Sequence, residues 1–417
     1  MLKKIISNSS IYLLSNILAS LVPFLLIPIL TEKLTPAEFG VVSMFQILIL
    51  VFNSLIGFNV NAAVERFFFE KENQVSKFIG ASVIILICTS ILLFIFIYPL
   101  RFYISDNTNI PVNWLYFALF CSFFNFIILL RLGQWQVRTK SIKYGLLQLF
   151  RTILNFGLSL IFIYKLEMTA DSRLYGIFIS SLIVAFISLY LLFKDKLIVF
   201  NGLKKDDFYQ LMIFGIPLIP HVISNLLLNN LDRIVVNDFL GVDAVGVYML
   251  AVQFGLLINT VSNSLNKAIA PPLFKYLTDS VNLYKINFFI YSLMFICIFF
   301  VIISYFIAPE LIIYFSDERY HEASNFIFYI FFGQIVSSYN LLLSNLFLFY
   351  KKTKYLSYGS ILSGGLNILL LVLFVQEIGL TGAAIAFLIS KLFQLFLSLL
   401  FIKNSNDISW VLKYKVK

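Results

Sequence analysis

The 417 residues are 60% hydrophobic and only 12% charged, with a mean hydropathy of +0.92 and a formal charge of +10. A soluble domain carries about 25% charged residues, so this chain cannot cover a water-facing surface and reads as a membrane protein. The basic residues are spread between apolar runs, which excludes nucleic acid as a partner. No Gly-Lys dipeptide exists to build a phosphate-binding loop for ATP hydrolysis.

A membrane-spanning helix needs about 20 mostly apolar residues. The first such stretch, 8–30, follows Lys3 and Lys4, and its length and the spans behind it distinguish it from a cleaved signal. Pro23 and Pro28 should bend it. The second, 40–61, ends close to Glu65 and Arg66, candidates for gating. The third and fourth are 78–100 and 114–133. Their cysteines Cys88 and Cys121, like Cys297 later, sit singly in apolar runs and read as small buried hydrophobes. The fifth, 142–164, holds Gln148, Arg151 and Asn155 at i, i+3 and i+7, on one helical face. Arg151 lies about eight residues, or about 12 Å, from the nearer end. The sixth is 174–193. The seventh, 211–231, contains Pro217, Pro220, His221 and Asn225 and runs into Asp232 and Arg233. His221 is either a structural residue or a proton-coupling group, and Asp232 and Arg233 are either a local ion pair or a gate. The eighth to tenth spans are 245–265, 286–308 and 324–349. The last two, 358–376 and 381–402, are separated by a very short turn at Gln376–Gly379. In the twelfth, Lys391 shares a face with Gln394 and Ser398 and lies about 15 Å deep.

Placing the N-terminus inside puts 23 lysines and arginines in inside segments and 6 in outside segments, with Arg151 and Lys391 within spans. The positive-inside rule then sets both termini in the cytoplasm. No carboxylate lies as deep as these two cations. An anionic ligand would supply their missing partner, and charge within a membrane marks a functional site. The substrate cavity is therefore expected to include Arg151, Lys391, Gln148, Asn155, Gln394 and Asn225. Other amides within the spans are expected either to bond neighbouring helices or to face the cavity. His221 and His321 lack metal-ligand spacing. No cofactor or metal is expected, and a proton or sodium ion is the candidate coupling ion.

Three short motifs recur in the same order. Leu34-Thr-Pro-Ala-Glu-Phe-Gly40 returns as Leu240-Gly-Val-Asp-Ala-Val-Gly246, and Leu174-Tyr-Gly176 returns as Leu380-Thr-Gly382. Thr139-Lys140 with Tyr144-Gly145 returns as Thr353-Lys354 with Tyr358-Gly359. The expectation is an all-α membrane protein of about twelve helices. They would form two parallel-repeat six-helix lobes, 1–200 and 201–417, around a central cavity.

The opening Asn8-Ser-Ser-Ile-Tyr-Leu-Leu-Ser-Asn16, Pro28-Ile-Leu-Thr31 with Leu34 to Gly40, Leu231-Asp-Arg233 with Leu240 to Tyr248, and Ser316-Asp-Glu-Arg-Tyr320 after Pro309 carry a resemblance. Over its whole length the chain resembles the Wzx-type O-antigen flippases, of the superfamily that also holds multidrug and toxic-compound extrusion transporters. The resemblance implies a transporter rather than an enzyme, in the bacterial cytoplasmic (inner) membrane. It would move a polyprenyl-diphosphate-linked oligosaccharide, as in O-antigen and lipopolysaccharide biosynthesis, by alternating access. Partners would be this lipid-linked cargo, membrane lipid, and a polysaccharide polymerase or assembly protein. Related flippases for cell-wall precursors place arginines in their first spans, whereas this first span has none. The alternatives are a drug or cation extruder of the same fold, which would want a deep carboxylate, and a polytopic polysaccharide polymerase, which would want a sizeable external loop.

Overall fold

The computed structural model describes residues 15, 17–19, 21–166, 170–278, 283–350 and 352–404, and among them there is no strand. The reason is solvation. In hydrocarbon each backbone N–H and C=O must be satisfied within its own segment, which an α-helix does. Large apolar side chains stay exposed along α4 (Val75–Thr108) and α11 (Leu283–Phe315), among them Phe96, Phe295 and Phe306, as lipid contact requires.

Nine helical stretches among the described residues are long and apolar enough to cross a membrane. Helix α1 is Ile27–Lys33, and the helical residues 17–19 and 21–25 precede it. Next come α2 (Pro36–Leu55) and α3 (Val60–Glu70), then α4 and α5 (Val112–Val137). After these stand α6 (Ser141–Leu166) and α7 (Ala170–Lys194). The seventh expected span is split: α8 (Lys205–Gly215), a 3₁₀ turn at Ile216–Leu218 that holds Pro217, and α9 (Ile219–Leu240). Helices α10 (Val242–Thr278), α11, α12 (Ile327–Phe349) and α13 (Thr353–Asn404) complete the chain. Helix α13 breaks at Ile378 and Gly379, where Gly379 has φ 61°, so it holds the last two spans, and the break falls in the expected turn.

Local chemistry explains the starts and breaks. Thr35 caps α2 in a capping box with Glu38, followed by Pro36 in the first turn. Its repeat at Leu240-Gly241 also starts a helix, with Gly241 at φ 85° between α9 and α10. The second span does not end at 61 as expected. Gly57, Phe58 and Asn59 turn left-handed at φ 64°, 47° and 54°, and the chain then continues as α3 to Glu70. The Gly57 N–H donates to Thr89 Oγ1 at 2.9 Å. Gly215 sits so close to this break that a Cβ there would lie 2.2 Å from the Phe58 carbonyl oxygen.

The chain divides into two compact units. Unit 1 comprises residues 1–26 and 33–234, and is built chiefly on α6 against α7, α5 against α7 and α2 against α5. Unit 2 comprises 27–32 and 235–417, built on α12 against α13 and on α10 and α11 against α12. Within unit 2 a 3₁₀ segment, Glu318–Asn325, follows Asp317 as its cap. Arg319 Nη2 donates to the Thr31 and Glu32 carbonyls at 3.0 and 2.8 Å, satisfying end groups of α1. Hydrogen bonds from the Arg319 side chain and backbone hold the Asp317 carboxyl below its usual range.

Candidate functional site

In unit 1 the expected polar face of α6 is present and meets α7. Asn155 Nδ2 donates to Ser180 Oγ at 3.1 Å, and Ser159 Oγ donates to the Asn155 carbonyl at 2.8 Å. Thr152 Oγ1 donates to the Gln148 carbonyl at 3.1 Å. The helices approach this closely because α7 presents Gly176 to Ser159: a Cβ there would lie 2.1 Å from Ser159 Oγ.

Into this seam comes a cation absent from the expected set. Arg173, only 6% exposed, donates from Nη1 to Asn155 Oδ1 and, at 2.9 Å, to Ser159 Oγ. Its guanidinium lies 3.9 Å from the centroid of the Phe156 ring. No carboxylate pairs with it among the described residues. Arg151, one turn before Asn155, is half-buried and likewise has no hydrogen-bond or ion-pair partner among the described residues, with Cys121 of α5 as an electrostatic neighbour. Burying charge is costly unless it is paired. Two such cations at α6 favour an anion.

Unit 2 contains the other expected face. The Lys391 ammonium lies 5.3 Å from the Phe387 ring centroid. Gln394 Nε2 reaches Ser360 Oγ at 3.4 Å, and Ser398 Oγ donates to the Gln394 carbonyl at 3.0 Å. Several amides cross-link helices instead: Asn259 donates to Gln334 at 3.4 Å, and Asn345 donates to Asn266 at 2.6 Å. The buried side-chain oxygens (Oδ1) of Asn340 and Asn367 have no donor among the described residues.

The gating candidates are dispersed. Glu65 packs against Gly133, where a Cβ would lie 2.3 Å from its Oε1, and it is an electrostatic neighbour of Tyr144. Arg66 pairs with Glu70 at 2.7 Å, at a solvent-exposed position where such a pair contributes little. Asp232 accepts from the Arg233 backbone N–H at 2.9 Å, while Arg233 Nε is buried without a partner among the described residues. This is a backbone bond in place of the side-chain ion pair that adjacency suggests. The side chains of His221 and Asn225 lie outside the described residues.

A further buried charge stands apart from this set. Arg131, near the end of the fourth expected span, is 1% exposed and bonds Asp195. Partial burial opposes ionisation of Asp195, but Arg131, Lys140 and Lys143 outweigh it and hold the carboxyl below its usual range.

The family described as polysaccharide biosynthesis protein matches residues 5–277. An uncharacterized membrane protein of Haemophilus influenzae is 25% identical over 376 residues, covering 86% of this chain and 87% of the relative. An inward-facing multidrug resistance MATE family transporter of the MOP superfamily superposes with a TM-score of 0.74 at 14% identity, over 98% of this chain and 96% of that one. The lipid II flippase MurJ, in an inward closed conformation, superposes with a TM-score of 0.72 at 15% identity, over 98% and 88%. The fold is thus that of these transporters, as the sequence leads one to expect.

Proposed function

The chain belongs to the polysaccharide biosynthesis protein family, and from that premise we propose that it is a flippase for polyprenyl-diphosphate-linked oligosaccharide. It is a multi-pass membrane protein with a transporter fold. The observation that carries the reading is a pair of cations at α6, Arg173 buried against Asn155 and Ser159 and Arg151 one turn before Asn155, neither with a carboxylate among the described residues. A diphosphate is an acceptor-only dianion and suits two guanidinium groups. Asn155, Ser159, Ser180 and Gln148 are of the type that bonds sugar hydroxyls.

A sugar-diphosphate head cannot cross hydrocarbon unaided. In this proposal a polar cavity shields the head while the prenyl tail stays in lipid. Lys391, Gln394 and Asn225 complete the proposed binding set, and alternating access exposes the head to each leaflet in turn. The broken helices at Gly57–Asn59 and Ile216–Leu218 and the Asp232, Arg233, His221, Glu65 and Arg66 positions would serve gating and coupling to a proton or sodium ion. Both termini lie in the cytoplasm of a bacterium, the membrane is the inner one, and the cargo is not covalently changed. A polymerase or assembly protein would receive the product.

The fold neighbour that expels drugs raises a second reading, a drug or cation extruder. That chemistry wants a carboxylate where the α6–α7 seam carries cations. The test is complementation of a bacterium lacking the gene, with Arg151→Ala and Arg173→Ala. Both should insert normally, lose surface polysaccharide and accumulate lipid-linked repeat units on the cytoplasmic side. Normal polysaccharide in both would remove the flippase reading, and dye efflux lost in the same variants would favour the extruder.

A further inference from the structure

Outside the seam, the last two turns of α5 carry a second set of donors. Arg131, Gln134, Trp135 and Arg138 stand at i, i+3, i+4 and i+7, one stripe of the helix. Arg131 and Gln134 are each 1% exposed and Trp135 is 5% exposed. The Arg131 guanidinium stacks 4.2 Å from the Trp135 ring centroid and spends Nη2 on Asp195. Arg138, half-buried, donates from Nη2 to Gln134 Oε1 at 3.5 Å and lies 4.9 Å from the Phe68 ring centroid. The two guanidinium groups are within electrostatic reach of one another.

After these contacts, five buried nitrogens still lack an acceptor among the described residues: Arg131 Nε and Nη1, Gln134 Nε2, Trp135 Nε1 and Arg138 Nε. All five are donors. Buried polar groups in folded proteins find partners, and a set made only of donors calls for a group made only of acceptors. Water brings two hydrogens of its own. A phosphate brings several oxygens and none. The charge points the same way, since Lys140 and Lys143 add to the two arginines and Asp195 is the carboxylate that answers them. Glu65 meets the helix at Gly133, about 160° round from Arg131 and Trp135, and forms no ion pair with either arginine among the described residues. The stripe reaches the surface through half-buried Arg138 beside exposed Thr139 and Lys140.

We propose that this face of α5 is a site for the phosphate group of a lipid headgroup, held by Arg131, Gln134, Trp135 and Arg138 near the helix end. The proposal stands on unit 1 alone and does not require the transport reading. Two sources share the chemistry, an anionic phospholipid and a lipid-borne diphosphate, and the test separates them.

The full-length protein, stripped of lipid in detergent, is given phosphatidylglycerol, or diacylglycerol with the same chains and no phosphate. Retained lipid is counted by native mass spectrometry and thermal unfolding is followed. Phosphatidylglycerol should be retained and raise the midpoint, and diacylglycerol should do neither. Trp135→Phe keeps the ring and removes one donor, and Arg138→Gln removes charge at the accessible end. Each should weaken retention by about tenfold, as loss of one hydrogen bond to a charged group predicts. Added inorganic pyrophosphate that displaces the phospholipid assigns the site to diphosphates as well, and failure to displace it assigns the site to phospholipid. Retention unchanged in Trp135→Phe, or diacylglycerol retained as well as phosphatidylglycerol, would overturn the proposal. Trp135→Phe keeps an aromatic ring beside the Arg131 guanidinium, and its own thermal midpoint without lipid reports its folding, so a folding failure of Arg138→Gln leaves the test intact.

Discussion

Arg173 is held by two neutral groups, Asn155 and Ser159, and by the face of Phe156. Neutral hydrogen bonds repay only part of the cost of taking a guanidinium out of water. Arg173→Met, similar in length and uncharged, should therefore leave the thermal midpoint unchanged or higher while abolishing polysaccharide export. A large fall in the midpoint would mark Arg173 as structural. Asn155→Ala has the opposite sign, because it leaves the charge in place and removes an acceptor, and should cost about 1–3 kcal/mol in thermal unfolding. Asp195 gives the pH dependence. A carboxyl held low in the fold stabilises above its unfolded value of about 3.9 and loses that contribution as pH falls through the lower folded value. Wild type should thus lose stability below about pH 4, and Asp195→Asn should lack that component, as midpoints measured across pH would reveal. The polar face of Gln148, Arg151 and Asn155 is legible in the sequence because it follows helical spacing. Arg173 is not legible there. It sits one residue before the apolar run of the sixth span, where a hydropathy reading assigns it to the loop. Only the packing of α7 on α6 turns its long side chain inward.

Helix ends and breaks show where local signals suffice. Thr35, Pro36 and Glu38 mark the start of α2 in the sequence itself, and Gly379 marks the break in α13. The break at Gly57–Asn59 is harder to read, because two of its three left-handed residues are Phe58 and Asn59, which lack the freedom of glycine. That conformation is imposed from outside, by Thr89 bonding the Gly57 N–H and by α8 packing its Gly215 on the Phe58 carbonyl. The helix contacts that set such features come from residues far apart in the chain, and no periodicity records them. Close approach of helices also makes a prediction. At Gly176 an added methyl would lie 2.1 Å from Ser159 Oγ and within 3.0 Å of the Ser159 backbone, so the helices must part. Gly176→Ala should cost about 1–3 kcal/mol, the usual penalty of overpacking. Ser159→Ala in the same chain should recover only part of it, since the backbone contact stays. Full recovery, read from thermal midpoints in detergent, would show that the hydroxyl alone sets the spacing.

At the scale of the whole molecule, composition alone places the chain in a membrane, and the distribution of lysine and arginine proposes which way it lies. The physical basis is the cost of carrying cations across during insertion, so cytoplasmic segments keep them. With 23 against 6, the assignment depends on the number of spans between any two loops, and one extra or missing crossing would exchange every later side. Two exposed asparagines test it at separate points: Asn107 near the end of α4, and Asn201 in the loop between α7 and α8. Three crossings lead to the first from the cytoplasm and three more lead back to the second, if the break at Gly57–Asn59 does not return the chain to the side it left. In a chain with Cys88, Cys121 and Cys297 replaced by serine, Asn107→Cys should react with a membrane-impermeant maleimide in intact cells, and Asn201→Cys only after permeabilisation. The reverse pattern would invert the topology and put the α5 phosphate site in the outer leaflet. Both residues labelled from one side would mean that α5, α6 and α7 do not make three crossings between them.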